Sequence, residues 1–224
     1  MIRPIVVYGA GGHGREVAAL IRALGRGGLN WELQGFLSDD AASWGHRVAG
    51  LPILGDGGWL FGHPGVSVAL GVGNSAARRR VVAALLDRSV DFPTLVHPSA
   101  VVMESGLPGR GVVIAAGAVV TVDAILGDFS VLNVNASVSH DCRVADFGTL
   151  GPAVTLTGGG EVGAGADLGA GVVVLPRVRI GEWSVVGAGA VITRELPPNC
   201  TAVGIPARVI SVRQAGWQLA PDGR

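Results

Sequence analysis

The chain has 224 residues, of which 49% are hydrophobic and only 5% aromatic, and its formal net charge at pH 7 is zero. The balanced charge argues against nucleic acid or an anionic membrane as the main partner, and 37 glycines with so few aromatic residues are atypical of a β-sandwich or a helical bundle. Cys142 and Cys200 lie far apart without metal-ligand spacing, so we predict neither a metal site nor a disulfide. No signal-peptide pattern is present and no apolar run approaches the roughly 18 residues of a membrane span, so we expect a cytoplasmic protein.

Residues 1–92 are predicted to form a small Rossmann-like βαβ domain. The predicted elements are a strand at residues 2–7, a helix at 15–24, strands at 33–37 and 66–72, and a second helix at 76–86. The turn between the first strand and the first helix has the pattern G-x-G-x-x-G from Gly9 to Gly14. Glycines in such a turn let the backbone approach a phosphate at the amino end of the helix.

This glycine turn leaves three interpretations open. NAD binding would place Asp39 on a ribose, but the domain is short for a full dinucleotide site. A nucleotide-linked sugar fits the length better, with residues 11–14 near the phosphates and Asp39 or Asp40 near the base or ribose. The third interpretation is a turn that caps the helix and binds nothing. The arginines at residues 78–80 are more typical of a solvated helix face than of a ligand cluster.

A period of six residues begins at Val96. Every sixth residue from there to Ile192, called an anchor below, is Ile, Leu or Val, except Pro108. Four places after each anchor is a second regular position, mostly small or Val, which runs from Ala100 to Leu196. Six residues make one short strand and a corner, three such units make a coil of 18 residues, and coils stack about 4.8 Å apart. Glycine often follows the anchor, which we attribute to a permissive backbone at the corner.

The pattern predicts a parallel β-helix over residues 93–210, followed by a tail at 211–224. The alternative is an ordinary β protein with chance alternation. Alternation alone would not separate the two, because a period of two is contained in a period of six. The second small position and the unbroken phase favour the β-helix.

The stretch from Asn133 to Cys142 contains the candidate catalytic group. His140 is the only histidine in the body of the repeats and lies two places after the anchor Val138, at an outer edge. Acyl transfer from a thioester to an amine or hydroxyl needs a base near neutrality, and Asp141 could orient the imidazole ring. The 18-residue coil puts Gly158 one coil from His140, so the amides of residues 157–160 are predicted to hold the thioester carbonyl. An ordinary surface histidine is the alternative.

These motifs resemble the sialic-acid O-acetyltransferase-like group of hexapeptide-repeat sugar acyltransferases, which includes N-acetyltransferases of nucleotide-linked 4-amino sugars of the bacillosamine and perosamine type. The resemblance spans almost the whole chain. It rests on residues 8–14, on Gly73-Asn74 followed by Arg78, on residues 139–142 and on residues 204–208. It implies a left-handed β-helix, acetyl-CoA as co-substrate, and a homotrimer with active sites between subunits.

The resemblance also implies the role of each residue. His140 is the general base with Asp141 as its partner, and Asn133 and Gly158 lie near the reacting groups. The predicted substrate-binding residues are Gly11, Gly12, His13, Gly14, Asp39, Asp40, Gly73, Asn74, Arg78 and Asn133. The predicted cofactor-binding residues are Thr149, Gly158, Ala188, Ile205, Pro206 and Arg208. Some members have a second histidine where this chain has Thr149.

The function predicted from these arguments is acetyl-CoA-dependent N-acetylation of a nucleotide-linked 4-amino-deoxysugar. Three alternatives stay open at this point. They are O-acetylation of a sialic-acid-type sugar, a nucleotidyl or dinucleotide enzyme led by the glycine turn, and a β-helix that binds without catalysis.

Overall fold

The computed structural model describes residues 2–28, 31–86 and 90–219. Its amino-terminal part is a sheet with two helices, whose elements are β1 (Arg3–Tyr8), α1 (Gly12–Arg26), β2 (Trp31–Leu37), β3 (Arg47–Val48), β4 (Leu51–Gly55), β5 (Ser67–Leu70) and α2 (Ser75–Leu85). The strand order is β3-β4-β2-β1-β5, and every pair is parallel except β3 with β4. This confirms the Rossmann-like prediction. The sequence missed β3 and β4, because β3 is only two residues long and β4 contains Pro52.

The rest of the chain is a left-handed parallel β-helix of two-residue strands. They are β6 (Leu95–Val96), β7 (Val101–Val102), β8 (Leu107–Pro108), β9 (Val113–Ile114), β10 (Val119–Val120), β11 (Ile125–Leu126), β12 (Val131–Leu132), β13 (Ser137–Val138), β14 (Arg143–Val144), β15 (Thr149–Leu150), β16 (Thr155–Leu156), β17 (Glu161–Val162), β18 (Asp167–Leu168), β19 (Val173–Val174), β20 (Arg179–Ile180), β21 (Val185–Val186) and β22 (Val191–Ile192). A longer hairpin of β23 (Cys200–Val203) and β24 (Arg208–Val212) closes the carboxyl end and runs past the predicted boundary at residue 210.

The strands form three flat faces of a prism. Face 1 has the order β24-β23-β21-β18-β15-β12-β9-β6, face 2 has β22-β19-β16-β13-β10-β7, and face 3 has β20-β17-β14-β11-β8. Paired residues are 18 apart, as in the pairs Val119 with Ser137 and Ser137 with Thr155. This confirms the predicted coil length.

The anchors form the core of the prism. Every anchor from Ile114 to Ile192 is at most 2% exposed. Only the last coil departs from the predicted phase. Leu196 bridges to Ile180, which is 16 residues earlier, so Leu196 takes an anchor position instead of the predicted second position. The coil is therefore two residues short at its final corner.

The corners require glycine-like backbone at a different place from the one predicted. Fourteen successive corner residues, every sixth one from Gly111 to Gly189, have φ between 53° and 69°. They lie three places after the anchors. The glycines directly after the anchors serve close packing instead, since a Cβ on Gly127 would lie 2.5 Å from the backbone nitrogen of Asp146 in the next coil.

The amino-terminal domain covers face 1. Helix α1 buries Val17, Ile21 and Leu24 in a cluster that also contains Val113 and Val131 of face 1. The tail returns to the same domain through a 3-10 helix at Trp217–Leu219, which packs on α2. Faces 2 and 3 stay open to solvent in the single chain. Among the described residues, no helix is long and apolar enough to cross a membrane.

Candidate active site

Two edges of the prism carry the predicted reacting groups. The edge between faces 2 and 3, called the His140 edge, contains His140 just after β13. The edge between faces 1 and 2, called the Asn133 edge, contains Asn133 just after β12 and Ala188 just after β21. His140 and Asn133 therefore flank face 2 on opposite sides. A single chain does not bring them together.

The imidazole of His140 is oriented by its neighbour. Nδ1 of His140 lies 2.8 Å from Oδ2 of Asp141, and the two side chains are 64% and 66% exposed. Asp141 is one of the corner residues with positive φ, at 60°. Because the carboxylate accepts a hydrogen bond from Nδ1–H, the lone pair is on Nε2. His140 is thus set up to accept a proton at Nε2.

Gly158 lies directly against this imidazole, where the 18-residue spacing predicts it. A Cβ on Gly158 would lie 2.5 Å from Nε2 and 2.6 Å from Cε1 of His140. Of the four amides at residues 157–160, those of Thr157, Gly159 and Gly160 donate to backbone carbonyls. Within the described part of the chain, the Gly158 N–H is the one without a backbone acceptor. Only one of the four predicted amides is therefore available to a thioester carbonyl, because the other three bond to backbone carbonyls within the turn and the neighbouring coils.

A pocket of about 300 Å³ lies between α1 and the Asn133 edge, with His13, His97 and Asn133 in its lining. Nε2 of His13 is buried without a hydrogen-bond partner among the described residues. Burial lowers the pKa of His13, although the nearby Glu16 carboxylate opposes that shift. His13 is therefore a neutral imidazole that faces the same pocket as Asn133.

The glycine turn has two kinds of glycine. Gly9 has a φ of +108°, and a Cβ on Gly14 would lie 1.8 Å from the carbonyl oxygen of Gly9, so these two permit the close packing of α1 on β1. Gly11 is the N-cap of α1 and a Cβ there would meet nothing within 4 Å, while a Cβ on Gly12 would meet only Arg15, at 3.9 Å. The amino end of α1 is thus open to an anion.

A second pocket, of about 410 Å³, lies at the carboxyl ends of β1, β2 and β5, with Tyr8, Asp39 and Arg80 in its lining. The Tyr8 hydroxyl donates to the Asp39 carboxylate, and burial together with that carboxylate raises the pKa of Tyr8. Asp40 instead accepts from the amide of Ala42 and caps the 3-10 helix at Ala41–Ser43. The sequence analysis assigned no role to Tyr8, although its place at the carboxyl end of β1 is where open α/β sheets bind ligands.

Arg78, one of the predicted substrate-binding residues, is fully buried and so does not lie on the solvated helix face expected for residues 78–80. It is 0% exposed, and burial lowers its pKa to about 10 against the opposing field of Asp167. All three guanidinium nitrogens donate to protein oxygens, namely the carbonyls of Val72, Gly73, Phe129 and Phe147 and the hydroxyl of Thr149. Arg78 therefore joins the loop after β5 to the corners of the β-helix.

Thr149, predicted to bind cofactor, belongs to the same junction. It is 8% exposed, and its hydroxyl is 3.0 Å from the hydroxyl of Ser75 as well as bonded to Arg78. The side chain of Asn74 is also occupied, because it accepts from Ala77 as the N-cap of α2. Gly73 lies beside His13, where its missing Cβ would be 3.7 Å from the Cβ of His13.

The remaining predicted cofactor residues lie at the carboxyl end of face 2. Val191 donates to the carbonyl of Gly204 and accepts from the amide of Ala207, so the loop between them extends face 2 beyond β22. Ile205 in this loop is 74% exposed, and Pro206 and Arg208 are exposed as well. The loop closes the end of the surface between the two edges. No group of three or more potential metal ligands occurs among the residues that the structure describes.

Comparisons with known proteins agree with this architecture. Residues 4–85 match the family model of the PglD N-terminal domain. A variant of perosamine N-acetyltransferase from Caulobacter crescentus, solved with CoA and GDP-perosamine, is 34% identical over 94% of this chain and 98% of its own, with a TM-score of 0.86. The acetyltransferase domain of PglB from Neisseria gonorrhoeae, in complex with acetyl coenzyme A, is 32% identical over 94% of this chain and 100% of its own, with a TM-score of 0.86.

WeeI from Acinetobacter baumannii is 25% identical over 93% of this chain and 100% of its own, with a TM-score of 0.77. No curated protein sequence matches the chain. Identity above 30% over almost the full length of both chains, on the same two-part fold, establishes that this chain is related to the Caulobacter and Neisseria enzymes. The chain belongs to the hexapeptide-repeat N-acetyltransferases of nucleotide-linked amino sugars.

Proposed function

We propose that the protein transfers the acetyl group of acetyl-CoA to the amino group of a nucleotide-linked 4-amino-deoxysugar. The observation that carries the proposal is the imidazole of His140, held at Nδ1 by Asp141 with Nε2 against Gly158. The ligands of the similar enzymes support the substrates, since one was solved with CoA and GDP-perosamine and another with acetyl coenzyme A. The cytoplasmic location expected from the sequence stays a prediction.

The chemistry is direct attack on the thioester. The neutral amine of the sugar bonds to the carbonyl carbon, and the carbon–sulfur bond then breaks. Nε2 of His140 accepts the proton that the nitrogen loses and returns it to the departing thiolate, so that the products are the amide and the CoA thiol. The N–H of Gly158, which has no backbone acceptor among the described residues, would donate to the oxyanion.

No acyl-enzyme is required. Cys142 is the one nucleophilic sulfur near His140, and it is 1% exposed with its thiol donating to the carbonyl of Thr157 at 3.1 Å. Burial raises the pKa of the Cys142 thiol, which keeps it protonated and weakly nucleophilic. Cys142 is therefore a small core residue beneath the corner that carries His140.

The nucleotide part of the acceptor is assigned to the amino-terminal domain. The pocket at the ends of β1, β2 and β5 offers the Asp39 carboxylate to ring or ribose donors. The open amino end of α1 at Gly11 and Gly12 suits a diphosphate. His13 then faces the sugar from the first turn of α1.

We further propose a homotrimer assembled through face 2. The outward residues of its strands are uncharged, namely Val101, Val119, Ser137, Thr155, Val173 and Val191. Face 1 is covered by the amino-terminal domain, and face 3 presents charged side chains such as Arg179 and Glu161, which are 3.2 Å apart. Packing on face 2 would bring the His140 edge of one subunit to the Asn133 edge of the next, which supplies the contact that a single chain lacks.

A mixing experiment tests the shared site. His140→Ala and Asn133→Ala subunits, each expected to be inactive alone, are co-expressed in equal amounts. If one subunit supplies His140 and its neighbour supplies Asn133, random assortment leaves about a quarter of the sites intact. Recovery of about that fraction supports the arrangement. Absence of recovery in mixed trimers verified by mass spectrometry would contradict it.

A substrate panel tests the reaction. Purified protein is incubated with acetyl-CoA and GDP-, UDP- or dTDP-linked 4-amino sugars, and the products are read by mass spectrometry and NMR. We expect an N-acetyl product that is lost with His140→Ala, while CoA binding persists. In the Caulobacter enzyme, variants with a histidine replaced by asparagine or alanine were solved with CoA and GDP-perosamine. Acetylation of a free sialic acid hydroxyl alone, or turnover unchanged in His140→Ala, would overturn the proposal.

A further inference from the structure

Tyr8 is the last residue of β1 and the only tyrosine of the chain. It is 6% exposed, and it belongs to the buried cluster that also contains Val68, Leu70 and Phe92. It lines the pocket of about 410 Å³ that we assign to the nucleotide. A phenylalanine would bury nearly the same apolar surface, so packing alone does not require the hydroxyl.

The hydroxyl of Tyr8 connects the carboxyl ends of three strands. Tyr8 ends β1, Asp39 follows the end of β2 by two residues, and Gly57 follows the end of β4 by two residues. The hydroxyl donates to the carboxylate of Asp39, and a backbone hydrogen bond from Gly57 reaches the hydroxyl oxygen. Because that amide occupies a lone pair of the oxygen, the O–H hydrogen is directed at the carboxylate.

The surroundings of the hydroxyl keep it protonated. Burial raises the pKa of Tyr8, and the bonded carboxylate of Asp39 and the charge of Asp56 raise it further, while the amide of Gly57 opposes the rise. The hydroxyl therefore donates to Asp39 throughout the neutral pH range.

Asp39 is the carboxylate whose direction this bond fixes. The residue is exposed and forms no ion pair with a described residue. An exposed aspartate is free to change rotamer, whereas one that is bonded to a buried group keeps a single direction. The adjacent Asp40 is used differently, since its carboxylate accepts from the amide of Ala42 and caps a short helix.

We propose that Tyr8 is a positioning residue, which holds the carboxylate of Asp39 in the direction that binds the nucleoside part of the acceptor substrate. The inference rests on the proposed function and adds a residue that acts on the substrate through another side chain. A carboxylate that is already aligned loses less conformational freedom on binding than a mobile one does. Loss of the hydroxyl should therefore weaken binding of the nucleotide-linked sugar and leave the chemical step unchanged.

The kinetics of Tyr8→Phe test the proposal. We expect the KM for the nucleotide-linked sugar to rise about tenfold, the equivalent of one charge-assisted hydrogen bond, while kcat and the KM for acetyl-CoA stay within twofold of wild type. Ser67→Ala is the matched control, because it removes another buried hydroxyl that donates to an exposed carboxylate, that of Asp91, at the amino end of β5. It should leave all three constants unchanged. An unchanged KM for the sugar in Tyr8→Phe would overturn the proposal.

A double-mutant cycle tests whether Tyr8 acts through Asp39. Asp39→Ala should raise the same KM at least tenfold, and adding Tyr8→Phe to it should change the KM by no more than twofold, because no carboxylate is left to hold. Effects that multiply in the double variant would contradict the proposal, since Tyr8 would then contact the substrate itself or act on folding. Thermal unfolding of Tyr8→Phe should stay within about 4 °C of wild type, and a much larger drop would assign the residue a structural role instead.

Calorimetric titration with GDP, UDP and dTDP separates this inference from the proposed function. If the wild type binds one of these nucleotides and Tyr8→Phe binds it about tenfold more weakly, the positioning role is supported even without turnover of the sugars tested. If both proteins bind it equally well, the inference fails and the proposed function stands. If the wild type binds none of them and acetylates a free sugar, the proposed function fails and the inference fails with it.

Discussion

Replacing Gly158 with alanine should separate catalysis from stability. The new Cβ would lie 2.5 Å from Nε2 and 2.6 Å from Cε1 of His140, whereas carbon and nitrogen atoms in ordinary contact are about 3.5 Å or more apart. The imidazole must therefore move by about 1 Å or leave its rotamer. Gly158 itself is not among the corner residues with positive φ, so alanine brings no backbone strain of its own.

The two expected magnitudes differ because the ring is at the surface. His140 is 64% exposed, so its displacement costs about 0.5–1.5 kcal/mol at most in rotamer energy, and the free energy of unfolding should change by no more than that. Misplacement of a catalytic group by about 1 Å reduces the rate by about 100-fold. Gly158→Ala should therefore lower kcat by roughly two orders of magnitude in a fully folded protein.

The assay is release of free CoA thiol with the best sugar of the panel, alongside urea unfolding followed by circular dichroism. Gly25→Ala in α1 is the control, since a Cβ there meets nothing within 4 Å and alanine favours the helix. It should keep full activity and slightly raise the free energy of unfolding. A kcat of Gly158→Ala within twofold of wild type would refute the idea that the ring position against Gly158 is the reactive one.

Three further substitutions test other parts of the structure. Asp141→Asn should lower kcat by about 100-fold with little loss of stability, because asparagine tolerates positive φ but no longer fixes the tautomer with the lone pair on Nε2. Asp123→Asn, at the same corner one coil earlier, is the control and should leave kcat nearly unchanged. Equal losses of kcat in both variants would argue against an orienting role of Asp141. Arg78→Lys leaves at most three donors for five buried acceptors and should lower the free energy of unfolding by about 3 kcal/mol in a urea titration. Arg79→Lys is the control and should change it by about 0.5 kcal/mol or less. Comparable effects of the two substitutions would show that Arg78 does not hold the loop after β5 to the β-helix. Gly127→Ala should cost about 1–3 kcal/mol or more, because its Cβ would meet backbone of the next coil at 2.5 Å, and unfolding unchanged from wild type would show that the coils can move apart.

The β-helix was predictable from sequence because its rules are local and repeat. Each unit of six residues carries its own anchor, and the 18-residue pairing then follows by counting, which is how Gly158 could be placed beside His140. The shortened last coil was not visible in the same way, because Leu196 suits an anchor position as well as the second position. Hydrophobicity alone does not distinguish the two.

The sequence did not distinguish the glycines that allow close packing of coils from the glycines at corners with positive φ. Glycine after an anchor and glycine at a corner both read as turn residues in a sequence, but only the corner has positive φ. Corner positions also accept Asp141, Asn135 and Phe129, so composition there carries no clear signal. The close approach of successive coils at Gly127 appears only when backbone atoms are placed.

The local geometry around His140 was predictable from sequence, whereas the surroundings of Arg78 were not. The sequence offered His140 as base because it is the one histidine in the body of the repeats, and its orientation by Asp141 needs only a neighbouring residue. Arg78 could not be assigned in this way. Four of its five acceptors are backbone carbonyls, two of them 51 and 69 positions away, and a carbonyl acceptor has no signature in the sequence.

The buried arginine connects the two halves of the proposed mechanism. Its bonds to Val72 and Gly73 fix the loop beside His13, and its bonds to Phe129 and Phe147 fix the same corner in two successive coils of the β-helix. The acceptor pocket is therefore held rigidly to its own prism, while the base that serves it is proposed to come from the neighbouring prism. In the proposed trimer, movement of the pocket relative to the neighbouring His140 would depend on the subunit contact at face 2 and not on a hinge within the chain. That division explains why a fully buried residue occupies the motif that the sequence assigned to the nucleotide.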